Sequence, residues 1–233
     1  MVSVNFRLNI FGYPGFPGGS QNLGLLDQRL AVEWVRNNAA AFGGDPSKIT
    51  IMGQSSGGLA VDFWNFSFKS DPIVSGLISH SGNAYSFPLN SLALAEKNWY
   101  NASSQVGCGS SGNNLECMRK VSWSLISAAA AKVPSPPGTS QARSQPPFQA
   151  TVDEKYVFSD YYKRNQAGNQ ARIVSNKSRT SLLAPANLYS HISLVTTTTK
   201  QAITKCLLLV KDGYSMSLFG SISIWNASHV QVP

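Results

Sequence analysis

The chain has 233 residues, 42% of them apolar and 10% aromatic, enough for one domain with a substantial core or for part of a larger one. Its longest aliphatic run is the short "LLLV" at Leu207, which cannot cross a bilayer, and the opening "MVSVNFRLNIFG" has neither a basic leader nor a small-residue cleavage site. The net charge of +8 divides between residues 1–173, with fourteen Lys or Arg against ten Asp or Glu, and the last sixty residues, with five against one. No basic cluster interleaves with aromatics, which argues against a nucleic-acid partner.

"VSVNFR" reads as a buried strand, apolar and β-branched, followed by the Gly/Pro-rich loop "FGYPGFPGGSQ". "NLGLLDQRLAVEWVRNNAAAFGG" then reads as a helix. Asn22 can cap it, Leu26, Leu30 and Trp34 stack at i, i+4 and i+8, and Gly43-Gly44 end it. "DPSK" turns the chain into the strand "ITIMG", a second helix begins just after Ser55, and "SGLISHSG" offers another short strand. From Ser91 to about Val133 the pattern is helical, broken around Gly107–Asn114. A Pro/Ser-rich connection, "VPSPPGTSQARSQPP", leads to "FQATVDEKYVFSDYYKRNQAG", read as a strand and a short helix. Strands alternating with helices give an α/β architecture, a mainly parallel sheet with helices on its faces.

Chemistry concentrates in "ITIMGQSSGGLA". The apolar run ends in Gly53-Gln54-Ser55-Ser56-Gly57, the G-x-S-x-G pattern of a nucleophile elbow, with Gly58 following. A serine in this strand–turn–helix setting sits at a helix N-terminus, where free N–H groups and the dipole favour negative charge. The N–H of Ser56 can donate to the oxyanion of a tetrahedral intermediate. A serine hydroxyl also needs a base and an acid to orient that base. The three cysteines, Cys108, Cys117 and Cys206, form no metal-ligand pattern, and "CGSSGNNLEC" is open to either a small disulfide loop or two free thiols. Asn65-Phe66-Ser67 and Asn101-Ala102-Ser103 are N-glycosylation sequons.

"FGGDPSKITIMGQSSGG", Phe42 to Gly58, resembles without a gap the active-serine signature of the type-B carboxylesterase/lipase family, the cholinesterase relatives. "LGLLDQR", "LISHSG" and "FQATVDEKYVFSDY" extend the resemblance over Val2 to about Ile173. It implies an α/β-hydrolase fold, here incomplete, and hydrolysis of a small-molecule carboxylic ester through an acyl-enzyme. Ser55 is then the nucleophile and the Ser56 N–H one oxyanion donor. It also implies that Cys108 and Cys117 form the family's disulfide loop, that no metal or organic cofactor is needed, and that the parent protein is secreted.

Two departures bear on activity. The family's Gly-rich oxyanion loop lies upstream of the strand that here begins at Val2, and the triad acid and histidine lie downstream of the serine. The available histidines are His80, read as a structural residue, and His191 and His229, both in an anomalous tail, residues 174–233. That tail shows no sustained period of 2 or 3.6 and carries a four-threonine run. One permitted back-translation of Ser190 to Cys206, read one base out of register, gives "PYLVGNNDNEAGYYKV", which resembles the family's segment around the triad acid. Val174-Ser175 can be encoded as a 5′ splice site, Ala186-Asn187 as a branch point, and Tyr189 with the first bases of Ser190 as an acceptor. The implied insert is about 50 nucleotides, a processing segment to be set outside fold reasoning. The expectation is a partial esterase domain over 1–173 and an intron-derived, frame-shifted, disordered tail. Such a chain is catalytically incompetent because base, acid and oxyanion loop are absent. The alternatives are a non-catalytic, cholinesterase-like binding or adhesion module and an unstable product of a misannotated or degraded gene.

Overall fold

A computed structural model describes residues 1–85, 87–136 and 145–173, together with the backbone of residues 220–226. Three strands in chain order, β1 (Val2–Phe6), β2 (Ile49–Gln54) and β3 (Gly76–His80), run in one direction. β2 pairs directly with β3, parallel, with Ile51 opposite Leu77 and Gln54 opposite His80. Between β1 and β2 lies β4 (Gly220–Asn226), antiparallel to both, giving the order β1-β4-β2-β3. The fold is that of an α/β hydrolase: the strands of the amino-terminal part share one direction, and helices flank them.

The residue pattern explains most of this arrangement. In β2, Ile49, Ile51 and Gly53 are buried while Thr50 and Met52 are half-buried, so both faces of this strand are covered. Helix α3 (Ser56–Ser67) packs on β2 and β3 and buries Ala60, Val61, Phe63, Trp64 and Phe66. Tyr161, on the short helix α7 (Tyr161–Gln166), stacks on Phe63 at 5.6 Å and meets Phe66 edge-on at 4.9 Å. A second apolar cluster, around Ile10 of α1 (Asn9–Gly12), joins α4 (Leu92–Gln105), α5 (Leu115–Lys120) and α6 (Trp123–Ala131). There Trp99 Nε1 donates to Asn114 Oδ1 at 2.8 Å. Cys108 and Cys117 form a disulfide with their α-carbons 5.6 Å apart, the pairing that the resemblance implies. Closing so short a loop removes about 2–3 kcal/mol of chain entropy from the unfolded state.

Several expectations change. Of β1, only Phe6 is buried. Val2, Ser3 and Asn5 are exposed, because an alternating Val-Ser-Val-Asn strand has one apolar face and little covers it. Helix α2 (Leu23–Asn38) forms as read, followed by a 3₁₀ turn at Ala39–Phe42, but it turns a different face to the core. Leu25, Gln28, Val32 and Val35 are buried, whereas Leu30 is 66% and Trp34 54% exposed. Apolar residues lie on both sides of this helix, so spacing alone does not choose between them. Two tertiary contacts fix its rotation. A β-carbon on Gly24 would stand 2.6 Å from the Arg7 carbonyl oxygen. Asn22, at the start of the helix, makes no side-chain capping bond. Its amide instead donates to Thr151 O and Asp153 Oδ2, both at 2.8 Å, and accepts the Thr151 N–H at 3.0 Å.

The stretch from Phe148 forms no strand. Thr151 makes only an isolated bridge with Asn90, and the Asp153 carboxylate gathers the N–H groups of Lys155, Tyr156 and Val157 at 2.8–3.0 Å into a tight loop. Of the tail, only β4 falls among the described residues; His191, Cys206 and His229 lie outside them.

Candidate active site

β2 delivers the chain to Ser55 at the carboxyl end of the sheet, and α3 leaves from Ser56. In open α/β sheets this edge is where ligands bind. Ser55 has φ 56° and ψ −116°, a conformation that an L-residue with a β-carbon rarely adopts. The neighbours make this sharp turn possible by being small. A β-carbon on Gly53 would stand 2.2 Å from the Gly57 carbonyl oxygen, and one on Gly82 would stand 2.0 Å from that of Ser55. On Gly58 it would meet the His80 carbonyl oxygen at 2.8 Å. The spacing G-x-S-x-G-G thus lets strand and helix approach until backbone touches backbone.

The turn is held from behind. The Ser55 N–H donates to the His80 carbonyl at 2.8 Å, and the Leu59 N–H to the Ser55 carbonyl at 3.0 Å. Ser79 Oγ bonds the Gly58 carbonyl at 2.9 Å and also that of Gly82. His80 therefore meets the turn through its main chain, in keeping with a structural place for it. Gln54, Ser55 and Ser56 are exposed, and Gly57 and Gly58 are buried. The Ser55 side chain makes no capping bond, and among the described residues no hydrogen bond to a histidine or a carboxylate reaches its hydroxyl. The first N–H groups of α3 have no intrahelical partner, and the positive end of the helix dipole lies at the serine. A negatively charged oxygen beside Ser55 would find donors already in place.

Gly82 and Ser79 belong to this site as much as the serine does, and reading the motif alone missed them. Their signal is the cluster of small residues in "SHSGNA", which sits beside the turn because β3 pairs with β2. A second omission is Asp62, one face of α3 further on. Its carboxylate accepts the Ala84 N–H at 2.7 Å, and burial pushes its pKa up against that hydrogen bond. A lone acid in the mostly apolar "GGLAVDFWNF" is the trace it leaves in the sequence. Burial likewise pushes up the pKa of the Tyr161 hydroxyl, to which the Asp62 charge adds. Among the described residues no three His, Cys, Asp or Glu side chains gather as metal ligands, and no helix is long and apolar enough to cross a membrane.

The model of the carboxylesterase family matches residues 1–212. Secreted lipase 5 of Gibberella zeae is 40% identical over 187 residues, which cover 76% of this chain and 34% of that protein. Chlorogenic acid esterase of Aspergillus niger is 39% identical, covering 74% and 33% respectively. Among solved structures, Aspergillus niger EstA superimposes with a TM-score of 0.60 at 27% identity, over 72% of this chain and 33% of that one. The chain spans about a third of the length of these relatives. By its sequence and by its sheet and helices, this chain belongs to the carboxylesterase family.

Proposed function

We propose that Ser55 is the nucleophile of a secreted carboxylic ester hydrolase, and that this 233-residue chain carries the nucleophile without the base and acid that activate it. The observation that carries the reading is the backbone of Ser55: a positive-φ serine, exposed at a strand-to-helix turn, which is the geometry of a nucleophile elbow. Such strain is held at functional sites when the surroundings over-determine it, as Gly53, Gly58 and Gly82 do here.

In the complete reaction, Ser55 Oγ forms a bond to the ester carbonyl carbon as a histidine takes its proton. The oxyanion is stabilised by the Ser56 N–H at the head of α3. Collapse breaks the carbon–alkoxide bond, the alcohol leaves with that proton, and water then releases the acid from the acyl-serine. The substrate is a small-molecule ester, consistent with the lipase and esterase names of the relatives, and the reaction needs no cofactor.

Residues 1–173 form the esterase part, and the tail from 174 is intron-derived and out of frame. The described packing runs to Ile173, which joins the main apolar core, and the relatives named above cover 74–76% of the chain, although the family match itself continues to residue 212. The test uses the purified 233-residue chain with a short-chain nitrophenyl ester. We expect no turnover above the Ser55→Ala variant. Turnover that Ser55→Ala abolishes would overturn the claim of incompetence while supporting Ser55 as the nucleophile.

A further inference from the structure

We propose that Asn101 is an N-glycosylation site, and that Asn65, which also stands in an N-x-S sequon, is not modified in the folded protein. The disulfide Cys108–Cys117 is the kind of bond that forms in an oxidising, secretory compartment, where the modifying machinery resides. The inference rests on the secretory part of the reading above and on nothing in the chemistry of Ser55.

Asn101 lies in the penultimate turn of α4. Its neighbours on that face, Lys97, Ser104 and Gln105, are exposed, while Trp99 and Ala102 turn into the second apolar cluster. Asn101 Oδ1 accepts a hydrogen bond from Gln105 Nε2 at 3.1 Å, which leaves its own Nδ2 for the sugar and orients the amide along the helix surface. The hydroxyl that completes the sequon has a later use. In the folded chain Ser103 is wholly buried, donates to the Gly109 carbonyl at 2.7 Å and also bonds the Asn114 amide. These contacts pin the disulfide loop. Transfer therefore precedes closure of this loop, and the finished fold then holds Asn101 half-buried on the exposed face of α4, with Ser103 wholly buried.

Asn65 is half-buried, as Asn101 is, but a second segment lies against it. It stands in α3 between the buried Trp64 and Phe66, and its carbonyl accepts the Ala171 N–H at 2.7 Å. The same strap is tied down by Lys69 Nζ, which donates to Asn169 Oδ1 at 2.5 Å. Ser67 of that sequon bonds the carbonyls of Phe63 and Tyr156. Residues 169–171 therefore lie against the main chain of Asn65 and the side chain of Lys69, and an oligosaccharide on Asn65 would have to be accommodated beside them.

The reaction joins Asn101 Nδ2 to the anomeric carbon of an oligosaccharide carried on a polyprenyl pyrophosphate. The bond from that carbon to the pyrophosphate oxygen breaks, the lipid pyrophosphate leaves, and Nδ2 gives up one proton.

The experiment expresses the full chain behind a secretion leader in a eukaryotic host and maps glycans by mass spectrometry of the soluble fraction. Glycan is expected on the Asn101 peptide and not on the Asn65 peptide. Asn101→Gln should remove it, and Asn65→Gln should leave the pattern unchanged. If little soluble chain is obtained, the detergent-solubilised cell pool is mapped instead, because transfer occurs before folding. An unmodified Asn101 in either pool, or soluble chain carrying glycan on Asn65, would overturn the proposal. Ester hydrolysis plays no part in the readout, so failure here is distinct from failure of the esterase reading.

Discussion

Gly82 lies so close behind Ser55 that a methyl group on its α-carbon would stand 2.0 Å from the Ser55 carbonyl oxygen. The contact is backbone against backbone, so no side chain can yield. Gly82→Ala must move either the loop after β3 or the serine turn itself. We expect a loss of about 3 kcal/mol in urea unfolding. An unchanged midpoint would mean that the turn is not held from this side.

Ser55 itself supplies the converse prediction. Its φ of 56° costs nothing to glycine and about 1 kcal/mol or more to serine. Ser55→Gly should therefore raise the stability of the chain, whereas Ser55→Ala, which keeps the β-carbon, should not. Equal stabilities for the two variants would contradict a strained serine.

Gln28 is buried, and among the described residues neither its amide nitrogen nor its amide oxygen has a partner. An unsatisfied buried amide is destabilising, so Gln28→Met, similar in shape and apolar, should stabilise this chain by about 1–2 kcal/mol. A decrease of that size would mean that Gln28 has a partner in solution.

Asp62 makes stability depend on pH. Its folded pKa is raised by burial, so the folded state holds the proton more tightly than the unfolded state. The contribution of Asp62 to stability is therefore greatest below the ordinary carboxylate range, falls as pH rises through the raised value, and is level above it. Asn at this position can still accept the Ala84 N–H, so Asp62→Asn should flatten that fall and leave the variant more stable at neutral pH. The check is urea unfolding of both proteins across acid to neutral pH. Parallel profiles would rule Asp62 out as the source.

Ser223 lies at the middle of β4, opposite Ser3 of β1 and Met52 of β2. Proline there removes a ladder N–H and should cost about 3 kcal/mol. Hydrogen exchange should then speed up at the amides of Val2–Phe6 and Ile49–Met52. Unchanged exchange at both strands would show that β4 does not bridge them in solution.

The serine turn was legible because every step of it is local: an apolar strand, a glycine-rich turn and a helix that must start at once. The helices from Ser91 to Val133 were legible from their spacing, and the pairing of Cys108 with Cys117 only from the family likeness. The inward face of α2 was not, because Asn22 reaches across to Thr151 and Gly24 rests on the Arg7 carbonyl, contacts that no window of sequence contains. Nor was β4 legible. Gly220–Asn226 alternates serine and isoleucine, and two strand edges left open between β1 and β2 accept such a segment wherever it comes from. Asp62 escaped notice because a single acid in an apolar helix has no period.

The most direct test of the account is ester hydrolysis by the parent protein, carrying the oxyanion loop upstream of β1 and read from a message lacking the insert of about 50 nucleotides between the codons for Ile173 and Ser190, with and without Ser55→Ala. The account predicts turnover of a short-chain nitrophenyl ester, falling by roughly 10⁶ in kcat when Ser55 is replaced, the size of the loss when a well-studied serine protease is stripped of its nucleophile. Turnover that survives Ser55→Ala, or no turnover from the restored reading frame, would contradict it.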